Sequence, residues 1–167
     1  MDLDIRWKAI LWQQFGAAID MLENAVVACP DELWNDQSRR PEFWYLVFHT
    51  LFFLDLYVYG SVEGFAPPAP FTLDELDPEG VLPERAYTKD ELQAYLELCR
   101  EKCRKAIDAL TDEKAWQRCS FEWVDVGEAE LILYNLRHVQ HHAAQLNLIL
   151  RQTIDSAPRW VFKAKSL

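Results

Sequence analysis

Glycine is scarce, with five in 167 residues. Glycine-rich phosphate loops need a backbone that a phosphate can approach closely, and neither GxGxxG nor GxxxxGK[ST] occurs. Basic residues are also few: 17 Lys and Arg stand against 27 Asp and Glu, a net charge of −10. A surface of that sign repels phosphate backbones and anionic lipid, so neither nucleic acid nor membrane is an expected partner. GxSxG is absent, so Ser/His/Asp hydrolysis has no local signature. No Glu-x-x-His pair occurs, which argues against a carboxylate-bridged di-metal bundle. No apolar run reaches the ~20 residues that span a bilayer. The longest, Phe43 to Tyr59, is broken by His49, Thr50 and Asp55. The opening MDLDIRWK is charged from its second residue, so no secretory leader is expected. A cytoplasmic setting follows as an expectation, with Cys29, Cys99, Cys103 and Cys119 reduced.

What the chain does have is apolar mass. Half its residues are hydrophobic, and seven Trp, nine Phe and six Tyr are present. That excludes overall disorder and supplies a core for one domain over residues 1–167. The periodicity is helical throughout. A first segment runs from about Asp4 to Ala28, with Trp7, Leu11, Phe15, Ala18, Leu22 and Val26 on one side, and Pro30 ends it. A second runs from Pro41 to Tyr59, with Gly60 as a stop, and its inward seam is Tyr45, His49, Phe52, Leu56 and Tyr59. This helix is apolar nearly all round, so a subunit interface is expected to cover part of it, making a homodimer. Thr88-Lys-Asp-Glu91 is a capping box that opens a third segment ending near Leu110. In it Cys99 and Cys103 fall on an apolar seam, where buried core thiols are favoured over a redox or metal role. The fourth segment spans about Glu128 to Gln152. Segments of this length predict an all-α, antiparallel four-helix bundle. Five of the eight prolines lie in the long connection 61–87, between the second and third helices, with a short turn expected at Leu73 to Leu76. Pro-Asp-Glu-Leu-Trp34 and Thr-Asp-Glu-Lys-Ala-Trp116 echo each other after the first and third segments. Residues 119–126, CSFEWVDV, alternate like a short extended connection.

The histidines carry the chemistry. There are four, His49, His138, His141 and His142. At ~100° per residue, His138 and His142 project from one face of the fourth helix. They belong to the series Leu131, Asn135, His138, His142, Gln145, Ile149, which is polar in the middle and apolar at both ends. Such a patch looks like the lining of a cavity. His141 leans away, toward the rim. A metal ion on the His138/His142 pair needs a third ligand from another helix, and His49 is the one histidine left to supply it. Three neutral imidazoles leave coordination positions open and do not cancel the ion's charge, which is the arrangement of a catalytic site. The rival reading is a buried hydrogen-bond network without metal. Asp55 lies ~120° around the helix from His49, which suits a supporting or helix-to-helix hydrogen bond rather than a fourth ligand.

HVQHHAAQL at His138, together with the mid-helix histidine in FHTLFFLD, resembles the DinB/YfiT-like superfamily of four-helix-bundle proteins. The resemblance runs from the first helix to the tail APRWVFKAK. It implies an up-down-down-up bundle, often dimeric, with nickel, zinc or iron held by His49, His138 and His142. It also implies a thiol-dependent S-transferase or isomerase acting on a small-molecule substrate with a low-molecular-weight thiol such as bacillithiol or mycothiol. The family commonly has Arg-Gly between the second histidine and the glutamine. Here the residues are Ala143-Ala144, which leaves the ligands intact and puts any substrate contact by that arginine in question. On the transferase reading, Asn135 and Gln145 orient ligands or substrate, and Trp44, Tyr45 and Trp123 wall the pocket. The alternatives are a non-catalytic dimeric bundle, with structural metal or none, and a metal-dependent hydrolase.

Overall fold

The computed structural model describes residues 5–164. Asp4, where the first helix is predicted to start, and Lys165 of the tail lie outside the described residues. Four long helices form the body: α1 (Ile5–Ala28), α3 (Phe43–Tyr59), α4 (Lys89–Ala109) and α6 (Glu128–Ile154). Two single turns, α2 (Asp31–Trp34) and α5 (Asp112–Ala115), follow α1 and α4. They are the two echoed Asp-Glu motifs. The segment expected as an extended connection is a hairpin, β1 (Arg118–Phe121) with β2 (Val124–Gly127). Its alternation buries Cys119 and Phe121 against the helices and leaves the neighbouring residues outward. Among the described residues no helix is long and apolar enough to cross a membrane.

Packing gives a helix order around the bundle of α1, α6, α3, α4 and back to α1. The directions follow from the ends. The Trp34 indole donates to the Tyr87 carbonyl at 2.8 Å, and Lys89 Nζ donates to the Cys29 carbonyl at 2.5 Å, so α4 begins where α1 ends. Lys8 Nζ reaches the Asp108 carbonyl at 2.9 Å, so α4 ends where α1 begins. The helices therefore run up, down, down, up. The parallel pair α3 and α4 obliges the chain to travel back along the whole bundle, and residues 61–87 do so. The capping box forms as expected: Thr88 Oγ1 accepts from the Glu91 amide at 3.2 Å, and Glu91 Oε2 accepts from the Thr88 amide at 2.8 Å.

The crossover also covers the apolar helix. Phe65, Phe71 and Tyr87 from the connection pack on Phe48 and Phe52 of α3, with ring centroids 4.9–5.9 Å apart. The chain thus buries α3 by itself, with 12 of its 17 residues out of solvent. Two residues placed inward by periodicity are outward. Tyr59 is 55% exposed, because its helix ends at the bundle's edge with Gly60 at φ 89. Trp7 is 61% exposed in the opening turns of α1, on an apolar groove between α1 and α6 with Ile10 and Leu133. The four cysteines are buried and unpaired.

Asp55 joins two helices. It is fully buried, accepts from Lys102 Nζ at 2.7 Å and from the Tyr95 hydroxyl at 3.0 Å, and so ties α3 to α4. Removing the carboxylate strands a buried hydroxyl and leaves the ammonium to seek solvent. We expect Asp55→Ala to lower unfolding free energy by about 2–3 kcal/mol in urea denaturation. Tyr95→Phe, which removes one donor and leaves the ion pair, should cost less.

Candidate metal centre

His49 stands in the middle of α3, and His138 and His142 stand one turn apart on α6, the antiparallel neighbour of α3. One ring nitrogen from each lies within 4.8 Å of the other two. The ring centroids are 5.5 Å (His49–His138), 4.8 Å (His49–His142) and 4.6 Å (His138–His142) apart. Among the described residues no hydrogen bond joins the three rings to one another: His49 and His142 each bond a residue outside the set, and His138 bonds none.

Glu75 Oε2 is 2.6 Å from His49 Nδ1, and its side chain is only 5% exposed. A carboxylate accepts, so in the neutral ring the proton is on Nδ1 and Nε2 keeps its lone pair. Gln145 Oε1 lies 2.7 Å from His142 Nδ1. An amide oxygen also only accepts, so His142 likewise keeps a lone pair on Nε2. His138 has no such partner: both of its ring nitrogens are buried without a hydrogen bond among the described residues. An orphaned buried imidazole is costly, and an electron-pair acceptor between the three rings would relieve it. The donor set therefore fits a divalent ion with nitrogen preference.

The environment keeps the His138 and His142 rings neutral. Burial, with the neighbouring imidazoles adding to it, pushes His138 down to about 3. Burial likewise lowers His142 to about 4, against the pull of Gln145. Neutral imidazole is the form that binds metal.

Beside the histidines a cleft of about 410 Å³ opens. Phe53, Tyr57, Tyr134 and Trp123 wall it, and Glu75, Leu76 and Asp77 of the crossover form another side. The Trp123 indole donates to the Tyr57 hydroxyl at 2.9 Å, fastening the hairpin tip to α3. Of the residues singled out in the sequence, Gln145 holds His142 and Trp123 lines the cleft. Asn135 is placed differently: its amide donates to the Leu54 carbonyl at 3.0 Å, and its Oδ1 is buried without a partner among the described residues. Trp44 bonds Asn35 at 3.1 Å, away from the cleft lining. Tyr45 stands beside Glu75, and burial, aided by that carboxylate, raises its phenol. His141 is exposed, its ring centroid 5.1 Å from that of His142. Glu75 had no signal in the sequence, because nothing local to the proline-rich connection says which acid turns inward.

None of the four cysteines lines the cleft. Burial raises the thiols of Cys29, Cys99, Cys103 and Cys119, Cys29 to about 12. Buried neutral thiols of this kind are poor nucleophiles.

The family model described as the DinB superfamily matches residues 14–146, a span that holds all three histidines and the whole cleft lining. No curated protein and no solved structure gives a match.

The pKa shifts set a direction for stability. Unfolded, His138 and His142 take up protons near pH 6.5. Folded, they do so only near 3 and 4. Between these limits the unfolded chain binds more protons, so the chelator-treated protein should lose stability steadily as pH falls from 6.5 toward 4. Thermal melts across that range should show the loss, and His138→Phe should reduce it, leaving the part due to His142. Glu75→Ala should weaken zinc binding by about 10–100-fold in a competition titration while helical content stays unchanged.

Proposed function

The chain belongs to the DinB superfamily, and we propose that it is a metal-dependent transferase joining a low-molecular-weight thiol to a small electrophilic acceptor. The observation that carries this reading is the open three-nitrogen donor set, with the orphaned His138 ring at its centre and an aromatic cleft beside it. Nickel, zinc or iron held by neutral imidazoles would supply a Lewis-acidic position of undiminished charge, where a thiol stays deprotonated at neutral pH.

The protein's own groups do the rest. Glu75 and Gln145 hold the His49 and His142 rings with their Nε2 lone pairs free. Phe53, Tyr57, Tyr134 and Trp123 keep water from the acceptor's body and from the nucleophilic sulfur. In the transfer, sulfur forms a bond to the acceptor carbon as the leaving group departs with its electron pair. The thiol proton is lost to solvent, so that RSH and R′X give RSR′ and HX. The sulfur comes from outside the chain, since its own cysteines are buried away from the cleft. The cytoplasm, with its reduced thiol pool, is the proposed setting. A homodimer belongs to the same proposal. The exposed apolar groove at Trp7, Ile10 and Leu133, rather than the self-covered α3, is where a second copy would bury surface.

Elemental analysis should find about one divalent ion per chain, and His49→Ala or His138→Ala should remove it. The metal-loaded protein should conjugate a small thiol to a chromogenic electrophile, and both variants should lose that turnover while keeping the helical far-UV spectrum. Turnover of simple esters instead, with no need for thiol, would place the protein among metal-dependent hydrolases.

A further inference from the structure

The cleft is sorted by charge as well as by shape. Its walls are the faces and edges of four aromatic rings, with Phe53–Tyr57 centroids 5.7 Å apart, Tyr57–Tyr134 5.3 Å and Phe53–Trp123 6.1 Å. Its charged lining residues are both carboxylates, Glu75 and Asp77, and no Lys or Arg is among the lining residues. Glu75 is buried and committed to His49. Asp77 is exposed, and one of its oxygens accepts from the Glu79 amide at 2.7 Å. Trp123, 46% exposed, lines the same cleft. Ring faces carry partial negative charge and attract cations, most strongly at Trp. The net charge of −10 raises the local concentration of cations further.

We propose that the acceptor bound in this cleft is a small molecule with an aromatic or branched apolar body and a protonated amine, the body held among the rings and the amine at Asp77 and Trp123. The inference rests on reading the cleft as the substrate site beside the metal centre, and it names the substrate class for that site. A cavity of about 410 Å³ is at the small end for organic ligands, so the body is limited to roughly one ring system. A carboxylate-rich acceptor finds no counter-charge among the lining side chains and would depend on the metal ion alone. Arg137 is an exposed cation in a separate depression of about 620 Å³ that meets the cleft only at Tyr134 and His138. It defines the rival arrangement, in which an anionic ligand lies across α6.

Three probes that share one phenylethyl body separate the two: 2-phenylethylamine, 2-phenylethanol and 3-phenylpropionate, titrated by calorimetry into the full chain, once zinc-loaded and once chelator-treated. In the chelator-treated protein the amine should bind about three- to tenfold more tightly than the alcohol, and the carboxylate most weakly. Asp77→Asn keeps the turn's acceptor and removes the charge. It should cost the amine about threefold and leave the alcohol unchanged. The proposal is overturned if the carboxylate binds the chelator-treated protein as tightly as the amine does, above all if Arg137→Ala then abolishes its binding. Equal amine affinity in Asp77→Asn and the parent, or no binding of any probe, also overturns it. Zinc affinity, measured separately, tests the metal reading. Its failure would leave the probe ranking in the chelator-treated protein intact.

Discussion

A buried imidazole with neither nitrogen partnered is the constraint around which the centre of this bundle is built. His138 lies among Phe53 and Tyr57, whose rings approach it at 5.8 and 5.9 Å and offer it no hydrogen bond. Leaving such a group unpaired costs on the order of 1–3 kcal/mol, a large part of the stability of a chain of this size. Protonation gives no relief, because burial disfavours the charged form of that ring. An electron-pair acceptor shared by the three rings would relieve it. The polar partners of His49 and His142 are arranged to suit it, since each occupies Nδ1 and frees Nε2.

The long crossover turns a topological necessity into part of the site. With α3 and α4 running the same way, some segment has to return along the bundle, and its length carries a loop-closure cost that grows only slowly. Residues 61–87 use that path twice. Phe65, Phe71 and Tyr87 seal the side of α3 that the other helices leave open. The 3-10 turn Asp74–Leu76 then carries Glu75 under His49. The chain's excess of acid is thereby put to structural use. Glu75 orients a ring, Asp55 ties α3 to α4, and Asp20 on α1 accepts from Arg100 of α4 at 2.5 Å. Each inward carboxylate has a donor, as buried charge requires.

The same burial separates the chain's sulfur from its chemistry. Cys99 and Cys103 sit fully inside the α4 seam, and the aromatic cleft contains no thiol. A site rich in rings and lone pairs but poor in its own nucleophiles and cations is suited to hold and orient groups brought to it. That supports the proposed transferase over any mechanism in which a side chain of this protein is the nucleophile.

Local sequence was enough to determine the four long helices, the Thr88 capping box, the Gly60 stop, the single turns after α1 and α4, and the face shared by His138, His142 and Gln145. These depend on periodicity and on contacts three or four residues apart, which a linear string records directly. The family resemblance seen in HVQHHAAQL and FHTLFFLD agrees with the DinB superfamily match over residues 14–146. Tertiary structure alone decided three other matters. It decided that the chain itself, through the crossover, covers α3, that Glu75 of all the acids in residues 61–87 turns inward, and that Asn135 bonds a neighbouring helix instead of facing the cleft. It also left Trp7 and Tyr59 outside, although their periodicity matched the core. Side-chain direction along a helix is set by 3.6-residue geometry, but what stands opposite each face depends on chain segments far away in sequence.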